Sequence, residues 1–154
     1  QQLSTRAKRM DFIVTDRQTI EDGIVVRTPY VVISIRDPGR DRAHIRRPPA
    51  FVDALFLAFH DAEPLSGMTL PKGIRLMSRQ DANQIWHFVQ KHRNRVGTIV
   101  CHCEQGMSRS PAVALALAER LDGDTEAILA EGQPNQYVYC LMREAIAYLE
   151  GENG

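Results

Sequence analysis

Short apolar runs and longer periodic stretches alternate along this chain, and the two kinds of pattern predict different elements. Asp11–Thr15 (DFIVT), Gly23–Arg27 (GIVVR), Tyr30–Ile35 (YVVISI) and Arg95–Cys101 (RVGTIVC) are short and rich in β-branched residues, so they read as strands. Ala54–Phe59 (ALFLAF) reads as another, although periodicity alone also admits a helix there. Arg36–Gly39 (RDPG) is a turn signal at the end of the Tyr30 run. Arg17–Asp22 is long enough for one short helix. Ser78 followed by Asp81 is a capping-box pattern, after which Ala82, Ile85, Trp86 and Val89 share one face of a helix ending near Arg93. Pro111–Leu121 is apolar almost all round, which predicts a buried helix, with Gly123 placed to stop it. Val138, Leu141, Met142, Ala145 and Leu149 form the stripe of a last helix, with Asn135 as its N-cap. Trp86 reads as a core residue.

Strands that alternate with helices predict an α/β fold: a central, mainly parallel sheet flanked by helices on both faces. In such sheets ligands bind outside the carboxyl ends of the strands. One stretch lies at that place and carries chemistry. In IVCHCEQGMSRSPAV, Ile99–Val113, an apolar strand hands over through a short polar loop to the buried helix. A loop entering a helix presents free backbone N–H groups and the positive end of the helix dipole, which together favour an anion. Gly106 lets the loop curl, Pro111 suits the first helical turn, and Arg109 can fork two bonds onto one oxyanion. Cys103 then stands as a nucleophile under a bound phosphate, because a thiolate is itself an anion.

The sequence HCEQGMSRS resembles the His-Cys-x5-Arg-Ser/Thr signature of the cysteine-dependent protein tyrosine and dual-specificity phosphatases; His102, Cys103, Gly106, Arg109 and Ser110 match it position by position. The resemblance is strong over Leu55–Leu121 and weak elsewhere. It implies a protein tyrosine phosphatase-like fold and hydrolysis of phosphate monoesters, phosphotyrosine in proteins foremost, through a cysteinyl-phosphate. It implies Cys103 as nucleophile and a phosphate cradle from Glu104, Gln105, Gly106, Met107, Ser108 and Arg109. Ser110 would assist the departure of the sulfur, and His102 would orient the loop. The family also uses an aspartic acid on a loop past a strand to protonate the leaving oxygen. Asp61 in LFLAFHDAEP matches, and Asp37 is the rival, otherwise a turn former. His60 beside Asp61 reads as structural or solvated. An amide side chain before the last helix can serve the site in such enzymes; Gln133, Gln136 and above all Asn135 are candidates, and for Asn135 a plain N-cap is the equal alternative. The size resembles the compact dual-specificity-like branch, and the extra N-terminal strands resemble its bacterial members.

Composition narrows the alternatives. The 154 residues suffice for one domain, expected over residues 10–150, with residues 1–9 a flexible tail or cloning remnant. The formal net charge is zero, which disfavours nucleic acid or an anionic membrane as the main partner and leaves a phosphorylated protein or a small phosphomonoester. Glu104 in the loop disfavours polyanionic inositol lipids by repulsion. Three cysteines, two of them one residue apart, fit reduced thiols in a cytoplasm. Cys101, His102, Cys103 and Cys140 lack zinc spacing, so no metal is expected, and no cofactor is needed. Cys101 reads as a small core residue, or as a thiol that traps an oxidised Cys103. Arg36–Pro49 holds five arginines and two aspartates and reads either as a solvated loop or as a basic rim to the site. The competing functions are a phosphate-binding pseudo-phosphatase module, a phosphatase of nucleotide or RNA 5′-phosphates, and an arsenate-reductase-like or sulfur-transfer thiol enzyme.

Overall fold

A computed structural model describes residues 9–64 and 67–153, and the side chains of all but the last two of these. Of the expected tail, residues 1–8 lie outside the described residues. The elements run β1 (Asp11–Asp16), α1 (Arg17–Asp22), β2 (Tyr30–Arg36), β3 (Phe51–Ala58), α2 (Arg79–His92), β4 (Thr98–Cys103), α3 (Arg109–Leu121), α4 (Thr125–Glu131) and α5 (Gln136–Asn153). The strands form one four-stranded sheet in the order β1-β4-β2-β3, and every pair is parallel. The near-continuous apolar runs of β2 and β4 follow from this: both are interior strands covered on both faces, so alternation is not needed.

Strand periodicity sorts the two cores. Val31, Ile33, Ile35, Ile99, Cys101 and Cys103 face the larger core, which α2, α3 and α5 complete. Tyr30, Val32 and Val100 face a smaller one, closed by Ile20 of α1 and by Ala43 and Ile45. The second face is therefore covered by one six-residue helix and by the Arg36–Pro49 segment, less helix than the alternation of elements predicts. That segment is not simply solvated, because Ala43 and Ile45 are buried beneath it.

Three other local expectations are corrected. Gly23–Arg27 forms no strand; Ile24 and Val26 pack against the smaller core without joining the sheet, and Val25 between them is 90 % exposed. The short helix α4 was not expected, because only Ile128 of its seven residues is buried and no apolar stripe announces it. Helix α3 ends on Asp122, which takes the left-handed conformation (φ 57°) in place of Gly123. Gly123 is needed for another reason: a Cβ there would lie 2.6 Å from the Phe12 ring. The capping box of Ser78 and Asp81 is present, with both reciprocal bonds, and Trp86 is fully buried.

Because all strands are parallel, their carboxyl ends share one edge of the sheet. The residues that follow them, Asp37 after β2, Phe59 to Asp61 after β3 and the loop after Cys103 of β4, are gathered there by topology alone.

Candidate functional site

Cys103 is the last residue of β4 and is buried, with its side chain toward α3. Its Sγ lies 3.3 Å from the Gly106 N, whose N–H it accepts, and 3.1 Å from Ser110 Oγ on the first turn of α3. Gly106 has φ 72°, and a Cβ on it would come within 2.8 Å of the Thr15 carbonyl carbon and oxygen. No other residue lets the loop curl over the sulfur while passing so near the end of β1. Backbone bonds pin the outside of the loop. The Arg17 N–H donates to Glu104 O, Gln133 N–H to Met107 O and Asn135 N–H to Ser108 O.

Arg109 is 5 % exposed. Its Nη1 donates to Asp37 Oδ1 at 2.6 Å and to the Phe59 carbonyl at 2.8 Å. Its Nε is buried without a hydrogen-bond partner, in a protein interior where such donors are nearly always paired. Asp61 lies at the rim. Its Oδ1 accepts from Ser108 Oγ and from Asn135 Nδ2, both at 2.8 Å. Asn135 also donates to the Ala62 carbonyl and accepts from Val138 N–H. It is thus the N-cap of α5 and a tether of Asp61 at once, so the two readings of this residue are not exclusive. Of the other two amide candidates, Gln133 meets the loop through its backbone and Gln136 bonds locally to Pro134.

The rival Asp37 does make a turn, with Arg40 N–H on its carbonyl, but its carboxylate goes to Arg109. His60 accepts from the Arg75 N–H through Nδ1, a structural bond. Asp37, His60, Asp61, Cys103, Met107 and Arg109 line a cavity of about 340 Å³. Glu104 lines it too. Its carboxylate accepts from Arg17, Arg40 and the Asp37 N–H, so two guanidinium groups stand against the acidic charge in the loop. The same bonds use Arg40 from the expected basic rim, while Arg42 and Arg47 lie over the rings of Phe56 and Phe51.

His102 faces the sheet surface opposite to Cys103, as strand alternation requires. It pairs across β2–β4 with Ser34, Nε2 to Oγ at 2.6 Å, and its Nδ1 lies 3.1 Å from the Cys103 carbonyl. A carbonyl only accepts, so Nδ1 carries the proton and Nε2 of the neutral ring accepts from the Ser34 hydroxyl. Burial is the largest influence on this imidazole and holds its pKa below the ordinary value, against the opposing pull of its bond to the Cys103 carbonyl. Between the folded and the unfolded pKa the unfolded chain binds the extra proton, so stability falls as pH drops through about 6.5. The urea midpoint of the wild type is expected to fall between pH 7.5 and pH 5.5, and His102→Asn is expected to lose less over that interval. Asp16 and Glu21, whose pKa values are lowered first by hydrogen bonds from Thr19 and His44, lose their contributions only in the carboxylate range below it. An equal loss in His102→Asn would assign the acid sensitivity to another group.

Cys101 is fully buried and its thiol is pushed up strongly, first by burial and then by the nearby Cys103, which makes it a poor partner for oxidised Cys103. Cys140 is exposed on α5, away from the site. Among the described residues no group of three or more His, Cys, Asp or Glu side chains is arranged to hold a metal, and no helix is long and apolar enough to cross a membrane.

No family model and no curated protein matches this chain. Solved structures do. The human tyrosine phosphatase-like serine/threonine/tyrosine-interacting protein superposes with a TM-score of 0.52 at 17 % identity, covering 78 % of this chain and 78 % of that one. A mouse protein assigned as a dual specificity phosphatase, complexed with zinc tungstate, gives a TM-score of 0.52 at 15 % identity, covering 81 % of this chain and 74 % of that one. At such identities the likeness shows the fold: a parallel four-stranded sheet flanked by helices, of the phosphatase-like α/β type.

Proposed function

We propose that this chain is a cysteine-dependent phosphatase that hydrolyses phosphate monoesters, phosphotyrosine in proteins foremost. The observation that carries the reading is the cradle at Cys103. Its sulfur is held between the Gly106 N–H and Ser110 Oγ, beside a buried Arg109 whose Nε has no partner. An oxyanion above the sulfur would satisfy that donor. In the first step the sulfur attacks phosphorus, the phosphorus–oxygen bond to the leaving group breaks, and Asp61 gives that oxygen its proton. In the second step water attacks the phosphocysteine, Asp61 takes a proton from it, and Ser110 donates to the departing sulfur. Arg109 and the loop amides hold the charge that spreads over the phosphoryl oxygens in both steps. His102 holds the Cys103 carbonyl and with it the direction in which the loop leaves the strand. None of these steps calls on a metal or an organic cofactor. The fold of the two neighbours, and the tungstate named with the mouse protein, support an oxyanion site of this kind.

Asp61 separates this reading from a module that only binds phosphate. Asp61→Asn keeps the bonds from Ser108 and Asn135 in a neutral side chain but cannot transfer a proton. Hydrolysis of p-nitrophenyl phosphate, with reductant and chelator present, is expected to fall by about 10²-fold or more, and the basic limb of the pH–rate profile is expected to disappear. A wild type that binds tungstate without turning over the ester would favour the binding module. A variant with an unchanged profile would move the acid to Asp37. Phosphotyrosyl, phosphoseryl and nucleotide substrates compared at equal concentration then rank the substrate classes.

A further inference from the structure

A cavity of about 590 Å³ lies outside the cradle, between β1 and α4. Strand β1 is an edge of the sheet. Asp11 and Arg17 donate their N–H groups toward β4 and its loop, so residues 11, 13, 15 and 17 face β4 and the backbone of Phe12, Val14 and Asp16 faces outward. Among the described residues no backbone group pairs with that outer edge. Opposite it stand Ala127 and Ile128 of α4, with the side chains of Phe12 and Val14 between. A groove between an open strand edge and a helix is the shape into which an extended peptide adds as a further strand.

Two observations select the occupant. The groove runs into the signature loop: Gln105, Gly106 and the half-exposed Met107 line it, and Met107 also lines the cavity above Cys103. Among the described residues its charge is one-sided, with Asp11, Asp16, Asp124 and Glu131 along it and one arginine, Arg9, which donates to the Asp122 carbonyl.

From this juxtaposition we infer that the open edge of β1 receives an extended, lysine- or arginine-rich segment of the phosphorylated protein substrate, flanking the residue whose phosphate enters the Cys103 cradle. The inference deepens the proposed function and rests on it for the word substrate. Main-chain bonds to Phe12, Val14 and Asp16 supply affinity without regard to sequence, and the carboxylates supply the preference for a basic flank and the rejection of an acidic one.

The test uses the full chain and fluorescent peptides of one length, basic or charge-reversed, each unphosphorylated and with a non-hydrolysable phosphotyrosine analogue. The basic peptides are expected to bind about tenfold more tightly than the acidic ones in both series. Asp11→Lys with Glu131→Lys is expected to remove that difference while p-nitrophenyl phosphate hydrolysis stays unchanged. N-methylation of alternate peptide residues is expected to weaken binding in one register only, and the amide signals of Phe12, Val14 and Asp16 are expected to shift on binding. Charge-blind binding, or indifference to N-methylation, overturns the inference. So does protection of the same amides by concentration-dependent self-association, which would make a second copy the occupant. If p-nitrophenyl phosphate is not hydrolysed while basic peptides still pair with the β1 edge, the phosphatase reading fails and the docking surface stands.

Discussion

Cys103→Ser is expected to abolish turnover of p-nitrophenyl phosphate, by about 10⁴-fold or more, while leaving the affinity for tungstate within a few-fold of wild type. The two halves of this expectation come from different atoms. Turnover needs the sulfur as nucleophile, and a serine hydroxyl in its place is a far weaker one. Binding needs the cradle, and the substitution leaves it whole: Arg109 keeps Asp37 and the Phe59 carbonyl, Gly106 keeps its turn, and the pins from Gln133 and Asn135 to Met107 and Ser108 are main-chain bonds. The new oxygen is smaller than sulfur, but Ser110 Oγ and the Gly106 N–H remain as partners for it. Single-turnover kinetics and calorimetry with tungstate read the two halves separately. Residual turnover at the wild-type rate would put the nucleophile elsewhere in the molecule. Loss of tungstate binding together with turnover, in a variant whose thermal unfolding is unchanged, would mean that the sulfur itself shapes the anion site.

The contrast between what was legible in the sequence and what was not follows the range of each interaction. The junction from Ile99 to Val113 was legible because strand, loop and helix are consecutive, and the spacing of Cys103, Gly106, Arg109 and Ser110 alone puts them around one turn. The parallel sheet was legible because strands alternate with helices along the chain, as the crossovers of a parallel sheet require. Asp37 to Arg109, Asn135 to Asp61 and Glu104 to Arg17 and Arg40 span long stretches of chain. No local pattern specifies such pairs; they arise because parallel strands deliver distant loops to one edge. Asp37 could be noticed as an acid past a strand, but its pairing with Arg109 could not. The misread Gly23–Arg27 segment shows the limit of propensity, for β-branched residues favour a strand only where another strand is there to pair. The missed helix α4 had one usable signal, Asp124 three residues before Ala127, whose N–H it caps.

Arg109→Lys keeps the charge and is nevertheless expected to lower kcat/KM by about 10³-fold. The reason is geometric. In the wild type Nη1 is already committed to Asp37 and the Phe59 carbonyl, and the guanidinium plane thereby fixes where the remaining donors point, including the buried Nε. A lysine ammonium is a single point on a flexible stem. Paired with Asp37, it leaves the phosphoryl oxygens without their forked donor; turned toward the phosphate, it strands the Asp37 carboxylate and the buried Phe59 carbonyl. Either choice forfeits at least two hydrogen bonds, and those made only when charge spreads in the transition state weigh on kcat more than on KM. The measurement is therefore the split between the two constants. A fall carried mainly by kcat, with tungstate affinity reduced less, fits an arginine oriented for the transition state. A rise in KM alone would reduce Arg109 to a uniform anchor for the anion. An unchanged rate would mean that the Asp37–Arg109 pair is structural and that the amides of the loop suffice. Asp37→Asn in the same background distinguishes these cases further. It frees the lysine from its competitor, so partial recovery of rate in the double variant is expected if Asp37 is what holds the ammonium away from the phosphate.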